Sequence, residues 1–143
     1  MNDDLYNAYS LLLDRTARRV KQFATKQFKE SGFNLTVDQW LVMKNLYEHP
    51  EMKQNELADL LAKDNPTFTR IVDILCKKGL TERKVHPTDR RSFVVKLTTA
   101  GKKKVEQLMP KIKRIRLQAW DGLSAGDFTH FKRILNTIYE NLA

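Results

Sequence analysis

Asn65-Pro-Thr-Phe-Thr-Arg-Ile-Val-Asp-Ile-Leu-Cys-Lys-Lys78, then Gly79, Leu80-Thr-Glu-Arg-Lys-Val85, His86-Pro-Thr-Asp-Arg-Arg91 and Ser92-Phe-Val-Val-Lys-Leu97, form the stretch that decides the fold. Its first segment reads as a helix. Asn65 is placed to cap it, Pro66 takes the first helical position, where a missing N–H costs nothing, and Gly79 ends it. Phe68, Ile71, Val72 and Leu75 fall at the i, i+3, i+4, i+7 spacing of one buried face, which puts Arg70, Asp73 and Lys77 on the opposite one. The period then drops to two: Phe93, Val95 and Leu97 alternate as a half-buried strand requires, and Leu80–Val85 is the strand before it. The turn between them, His86 to Arg91, is too long for a two-residue hairpin and carries two guanidinium groups at its tip beside Asp89.

Working outward, Leu35-Thr-Val-Asp-Gln39 is a helix entry, with Thr36 as N-cap, Gln39 as its reciprocal partner and Leu35 placed to staple against Trp40. That helix runs to about His49, and Pro50 stops it. A second helix from about Gln54 to Ala62 carries Leu57, Leu60 and Leu61 before Lys63-Asp64-Asn65 turns into the helix above, giving a helix-turn-helix with a wing. Beyond the wing, Thr98 can cap a long helix through Val105, Leu108, Met109, Ile112, Ile115 and Trp120, with a kink near Met109 caused by Pro110. Asp4 to about Lys29 sets Leu5, Tyr9, Leu12, Thr16, Val20, Phe23 and Gln27 in a helical seam. Ser124-Ala-Gly-Asp127 starts a last helix striped by Phe128, Phe131, Leu135, Ile138 and Leu142. Two such stripes need cover, which in so short a chain is expected from the same helices of a second protomer rather than from packing within one.

The fold class is therefore mainly α with a small β wing. We expect one unit over residues 1–143: dimerisation helices at about 1–33 and 118–143, a winged helix-turn-helix at about 35–100 and a linking helix at about 98–120. The 143 residues are 41% apolar, enough for one core. The net charge of +9 is local, since residues 65–116 hold 15 Lys and Arg against 4 Asp and Glu. Such a concentration is the electrostatic footprint of a polyanion partner. No run nears the roughly 20 apolar residues of a spanning helix, and the acidic start Met1-Asn-Asp-Asp4 is unlike a signal peptide, so a cytoplasmic protein without membrane contact is expected. A single cysteine excludes an internal disulfide.

Small hydroxyl residues and an arginine in the first turn of a helix suit entry into a DNA major groove, and arginines on a turn suit an adjoining minor groove. Thr67, Thr69 and Arg70 are the candidates for base edges, Lys77 and Arg90 for phosphates, and Arg91, oriented by Asp89, for the minor groove, with Asn65 as the cap. Gly79-Leu-Thr-Glu-Arg83, His86-Pro-Thr-Asp-Arg-Arg91 and Leu97-Thr-Thr-Ala-Gly101 closely resemble the MarR family of bacterial winged-helix regulators, and upstream Gln54-Asn-Glu-Leu-Ala58 resembles the family's first helix-turn-helix helix. The family's Asp-x-Arg wing motif falls on Asp89 and Arg91, and its recognition helix on Pro66 to Lys78. Lys53 departs from the family by standing where many relatives have a capping Thr or Ser, and Ile74 takes a position often basic in relatives. The resemblance implies an isologous dimer, a double-stranded DNA partner with a pseudopalindromic operator, and an aromatic or phenolic effector in a crevice between lobes. Tyr9, Trp40, Met43 and Tyr47 are the candidates to line it, against the plainer role of core.

Catalysis is not expected: His49, His86 and His130 share no pairing interval, and the five glycines form no phosphate loop. No Cys/His cluster suggests a metal, and no cofactor is expected. Cys76 adjoins Lys77 and Lys78, which favour a thiolate, but it borders a buried face and reads as a structural thiol. Two other readings stay open: a sequence-indifferent architectural DNA-binding protein, and a winged-helix module that binds protein.

Overall fold

The computed structural model describes residues 4–50 and 52–143, without the side chains of Asp4 and Leu5. The acidic start Met1 to Asp3 and the Leu5 position of the N-terminal stripe lie outside the described residues. In chain order the elements are α1 (Asp4–Asn7), α2 (Tyr9–Glu30), α3 (Val37–Glu48), β1 (Met52–Lys53), α4 (Gln54–Leu60), α5 (Asn65–Lys77), β2 (Thr81–Val85), β3 (Phe93–Leu97), α6 (Thr99–Gln118) and α7 (Ala125–Asn141). The single N-terminal helix expected from the seam is broken at one residue, Ala8, which keeps right-handed angles and whose carbonyl accepts from the Leu12 N–H.

The core gathers around α3. Its Trp40, Val42, Met43 and Leu46 pack in one cluster with Leu57 of α4, Phe68, Val72 and Leu75 of α5, Val95 of β3, and Val105, Leu108 and Ile112 of α6. Each such side chain contributes about 1.5–3 kcal/mol by leaving water, so the winged helix and the start of α6 form one body. Thr36 and Gln39 make the reciprocal capping box expected at the entry to α3, and Ser124 and Asp127 make another at α7. The helix α6 is capped by Thr98 and runs unbroken through Pro110.

The sheet has three strands, not two. The antiparallel order is β1-β3-β2, with Met52 opposite Val95 on one side and Arg83 opposite Val95 on the other. A two-residue strand such as β1 has no periodicity to read. The helix α4 is also shorter than expected. It stops at Leu60, because Ala62 adopts a left-handed φ of 53° while its N–H bonds the Asp59 carbonyl and the Lys63 N–H bonds the Ala58 carbonyl. That is the Schellman arrangement, usually built on glycine. Leu60 consequently faces solvent.

The terminal helices are the exception to burial. The helix α2 buries only Phe28, and α7 buries no residue at all, leaving Leu12, Val20, Phe128, Phe131 and Leu142 exposed.

Candidate nucleic-acid interface

The recognition-helix candidate α5 is set by both its ends. Its N-cap is Asp64 rather than Asn65: Asp64 Oδ1 accepts from the Thr67 N–H at 2.8 Å, and Asn65 is already helical. Both residues have the right chemistry, and the carboxylate is the stronger acceptor for orphan N–H groups at a positive helix end. The Thr67 bonds hold the Asp64 carboxyl below its ordinary pKa. At the other end Gly79, with φ 74°, lets its own N–H reach the Cys76 carbonyl and the Leu80 N–H reach that of Leu75. Between them Phe68, Ile71, Val72 and Leu75 are buried as the spacing requires, while Thr67, Arg70 and Lys77 are exposed.

The foot of the wing is clasped. The Thr98 hydroxyl donates to the Gly79 carbonyl at 2.6 Å and accepts from the Gly101 N–H at 3.0 Å, and the Thr98 N–H bonds the Leu80 carbonyl. Gly101 passes so close that a Cβ there would lie 2.0 Å from the Leu80 carbonyl oxygen. The Leu97-Thr-Thr-Ala-Gly101 run therefore joins the end of α5 to the start of α6.

At the wing tip the expected pairing of Asp89 with the Arg91 guanidinium is not what forms. Asp89 instead accepts from the Ser92 hydroxyl at 2.8 Å and from the backbone N–H of Arg91 at 3.2 Å, with Lys53 Nζ at 4.0 Å. Those bonds hold its carboxyl below the ordinary value, the Ser92 bond most. The nearest donors to a carboxylate in a six-residue turn are the turn's own N–H and hydroxyl groups, so Asp89 shapes the loop and leaves both Arg90 and Arg91 exposed. His86 does similar work, its Nδ1 accepting from the N–H of Thr88 at 3.2 Å and of Asp89 at 3.1 Å.

Sequence reasoning missed Arg83. Its side chain is about three-quarters buried, and its guanidinium donates from Nε to Gln54 Oε1 at 2.9 Å and from Nη2 to the Thr69 carbonyl at 3.2 Å, while Nη1 pairs with Asp73 Oδ1. Asp73 is thus not on a free face. The available signal was alternation: Thr81 and Arg83 share the inner face of β2, and an inward charge needs partners. Cys76 Sγ lies 3.3 Å from the Thr81 hydroxyl at the root of the same strand, partly buried.

Of the four effector candidates Trp40 lines a cleft. That cleft, about 530 Å³, lies between α3, α6 and α7, with Trp40, Trp120, Phe128, Lys44, Lys113 and Arg116 among its lining residues. Trp40 Nε1 is buried without a hydrogen-bond partner among the described residues. Trp120 stacks edge-on against Phe128 and Phe131, with ring centres 5.2 and 5.4 Å apart. Met43 is fully buried core, Tyr9 stands exposed on α2, and Tyr47 donates its hydroxyl to Glu106 of α6 at 3.2 Å, whose negative charge raises the phenol's pKa. Helix α3 is covered on several faces, so its spacing could not show which aromatic residue bordered a cleft.

Among the described residues no three His, Cys, Asp or Glu side chains come together as a metal site, and no helix is long and apolar enough to cross a membrane. Comparison with known proteins finds the MarR family model over residues 35–93. A mutant MarR from E. coli complexed with operator DNA superposes with a TM-score of 0.82 at 22% identity, over 96% of this chain and 98% of that one. MepR from S. aureus in a DNA complex gives 0.79 at 27% identity over 93% and 97%, and a probable transcriptional regulator from Pseudomonas aeruginosa gives 0.80 at 28% over 94% and 98%. Residues 35–93 thus match the MarR family model, and over nearly its whole length the chain is similar in fold to solved MarR-type winged-helix regulators.

Proposed function

We propose that the protein is a dimeric, sequence-specific repressor of a pseudopalindromic operator, released by a small aromatic or phenolic effector. The observation that carries this reading is the exposed face of α5, with Thr67, Arg70 and Lys77, fixed to a wing that presents Arg90 and Arg91. Two such units in a two-fold dimer would enter successive major grooves roughly 34–36 Å apart. Thr67, Thr69 and Arg70 meet base edges, Lys77 and Arg90 meet phosphates, and Arg91 enters the minor groove. The DNA complexes of MepR and MarR support the partner. The uncovered stripes of α2 and α7 support the dimer, each being an apolar face that a second protomer's helices would bury.

The cleft supports the effector. Aromatic walls and three nearby cations suit a flat ring bearing a carboxylate or phenolate. Because the cleft touches both the core helix α3 and the corner from α6 into α7, a ligand there would favour a different spacing of the two recognition helices.

The deciding experiment is binding to the promoter beside the protein's own gene, against random duplex, from about 50 to 200 mM salt. We expect a promoter preference of roughly 10³-fold or more with a steep salt slope. Equal affinity for both duplexes would replace this reading with an architectural role, and absence of binding would replace it with a protein partner.

A further inference from the structure

The hydrogen bonds around Arg83 have a direction. A guanidinium carries only N–H donors, so whatever Arg83 Nε meets must accept. That requirement fixes the Gln54 side-chain amide: its oxygen faces Arg83 at 2.9 Å, and its NH₂ faces Thr69 Oγ1 at 3.2 Å. An amide nitrogen cannot accept, so the Thr69 oxygen takes this bond with a lone pair. The Thr69 O–H finds no acceptor among the described residues, although it sits on the face of α5 next to exposed Arg70. The same guanidinium grips the Thr69 carbonyl and Asp73, so the backbone carrying that hydroxyl is held as well.

We propose that Arg83 is a positioning residue for base recognition: acting through Gln54, it makes Thr69 a hydrogen-bond donor toward DNA. The inference builds on the reading of α5 as the recognition helix. In a major groove a committed donor matches guanine N7 or O6, adenine N7 or thymine O4, and is rejected by the amino groups of cytosine and adenine. Without the Arg83 bond the Gln54 amide can turn over, and Thr69 loses its preference. With glutamate at position 54 both oxygens accept, the Thr69 proton turns inward, and the hydroxyl offers only lone pairs outward.

The test is selection from a randomised duplex library with the full-length protein, for the natural chain, Arg83→Lys, Gln54→Glu and Thr69→Val. We expect the natural chain to enrich one motif, and Gln54→Glu to change the base chosen at the positions altered by Thr69→Val and nowhere else. We expect Arg83→Lys to lose on the order of tenfold affinity for that motif with an unchanged salt slope. The proposal is overturned if Arg83→Lys weakens selected and random duplex alike and lowers the slope by about one, the mark of a direct phosphate contact. It is equally overturned if all three variants keep the natural preference. A natural chain that enriches no motif removes the recognition-helix reading along with it. Heat melting accompanies each variant, and a changed base preference in Gln54→Glu is a readout that lost stability does not produce.

Discussion

Single residues at the edges of α4 and α5 set the local energetics. Ala62 holds a left-handed backbone at some cost that glycine would not bear, so Ala62→Gly should stabilise the protein by about 0.5–1 kcal/mol. Chemical denaturation of the two chains measures this directly, and equal midpoints would contradict it. Asp64 and Asp89 have depressed carboxyl pKa values, so their folded-state values lie below the unfolded ones. Their contributions are complete above the unfolded value, about 3.9, and are lost as pH falls through the lower folded values. The amide chemical shift of Thr67 should therefore stay constant from pH 7 to about 5 and move only below about 4. Movement near neutrality would point to another titrating group.

At the scale of elements, most of the helices were legible because an apolar period runs through each of them. Strand β3 was legible from Val95 and Leu97, although Phe93 turns out exposed and Val94 buried, and β2 carries no apolar period at all. Caps and short pieces were less legible. Asp64 and Asn65 are adjacent and both able to cap, and only the fold decides which one lies outside the helix. The strand β1 is two residues long and exists because β3 has an edge to pair with. The role of Asp89 was read from its charge and neighbours, whereas in the structure the turn's own donors claimed it. The Arg83 network joins three elements, and no window of sequence contains it. The clasp at the wing's foot yields a prediction for this scale. In Gly101→Ala the new methyl would overlap the Leu80 carbonyl, so α6 must shift away from the wing. We expect at least about 1–3 kcal/mol lost in thermal or chemical unfolding; a neutral outcome would mean that the clasp opens easily.

For the whole molecule, the exposed stripes of α2 and α7 predict how assembly and DNA binding are linked. Phe131→Asp introduces a charge into the α7 stripe without touching the winged-helix core. Sedimentation should then show a monomer, and operator affinity should fall by at least about tenfold because one half-site replaces two. An unchanged mass would overturn the proposed dimer contact through this stripe. The candidate effector cleft was only partly legible beforehand, through Trp40, because its other walls come from the α6–α7 corner more than 60 residues away. Asp38 adds a mechanical link: Lys21 of α2 reaches it at 3.1 Å and Lys63, next to the α5 cap, at 3.3 Å. Burial raises its pKa, but the two lysines outweigh that and leave it lowered.

The Thr98 clasp also decides where α5 can pivot. Its Gly79 end is pinned to the base of α6, while its Asn65 end follows a short connection from α4. A torque on α6 would thus carry α5 with it, because the two share one buried core, like a blade fixed to its shaft. With 13 residues the blade is roughly 20 Å long. A swing of only about 10° carries its tip by about 3.4 Å, the rise of one base pair.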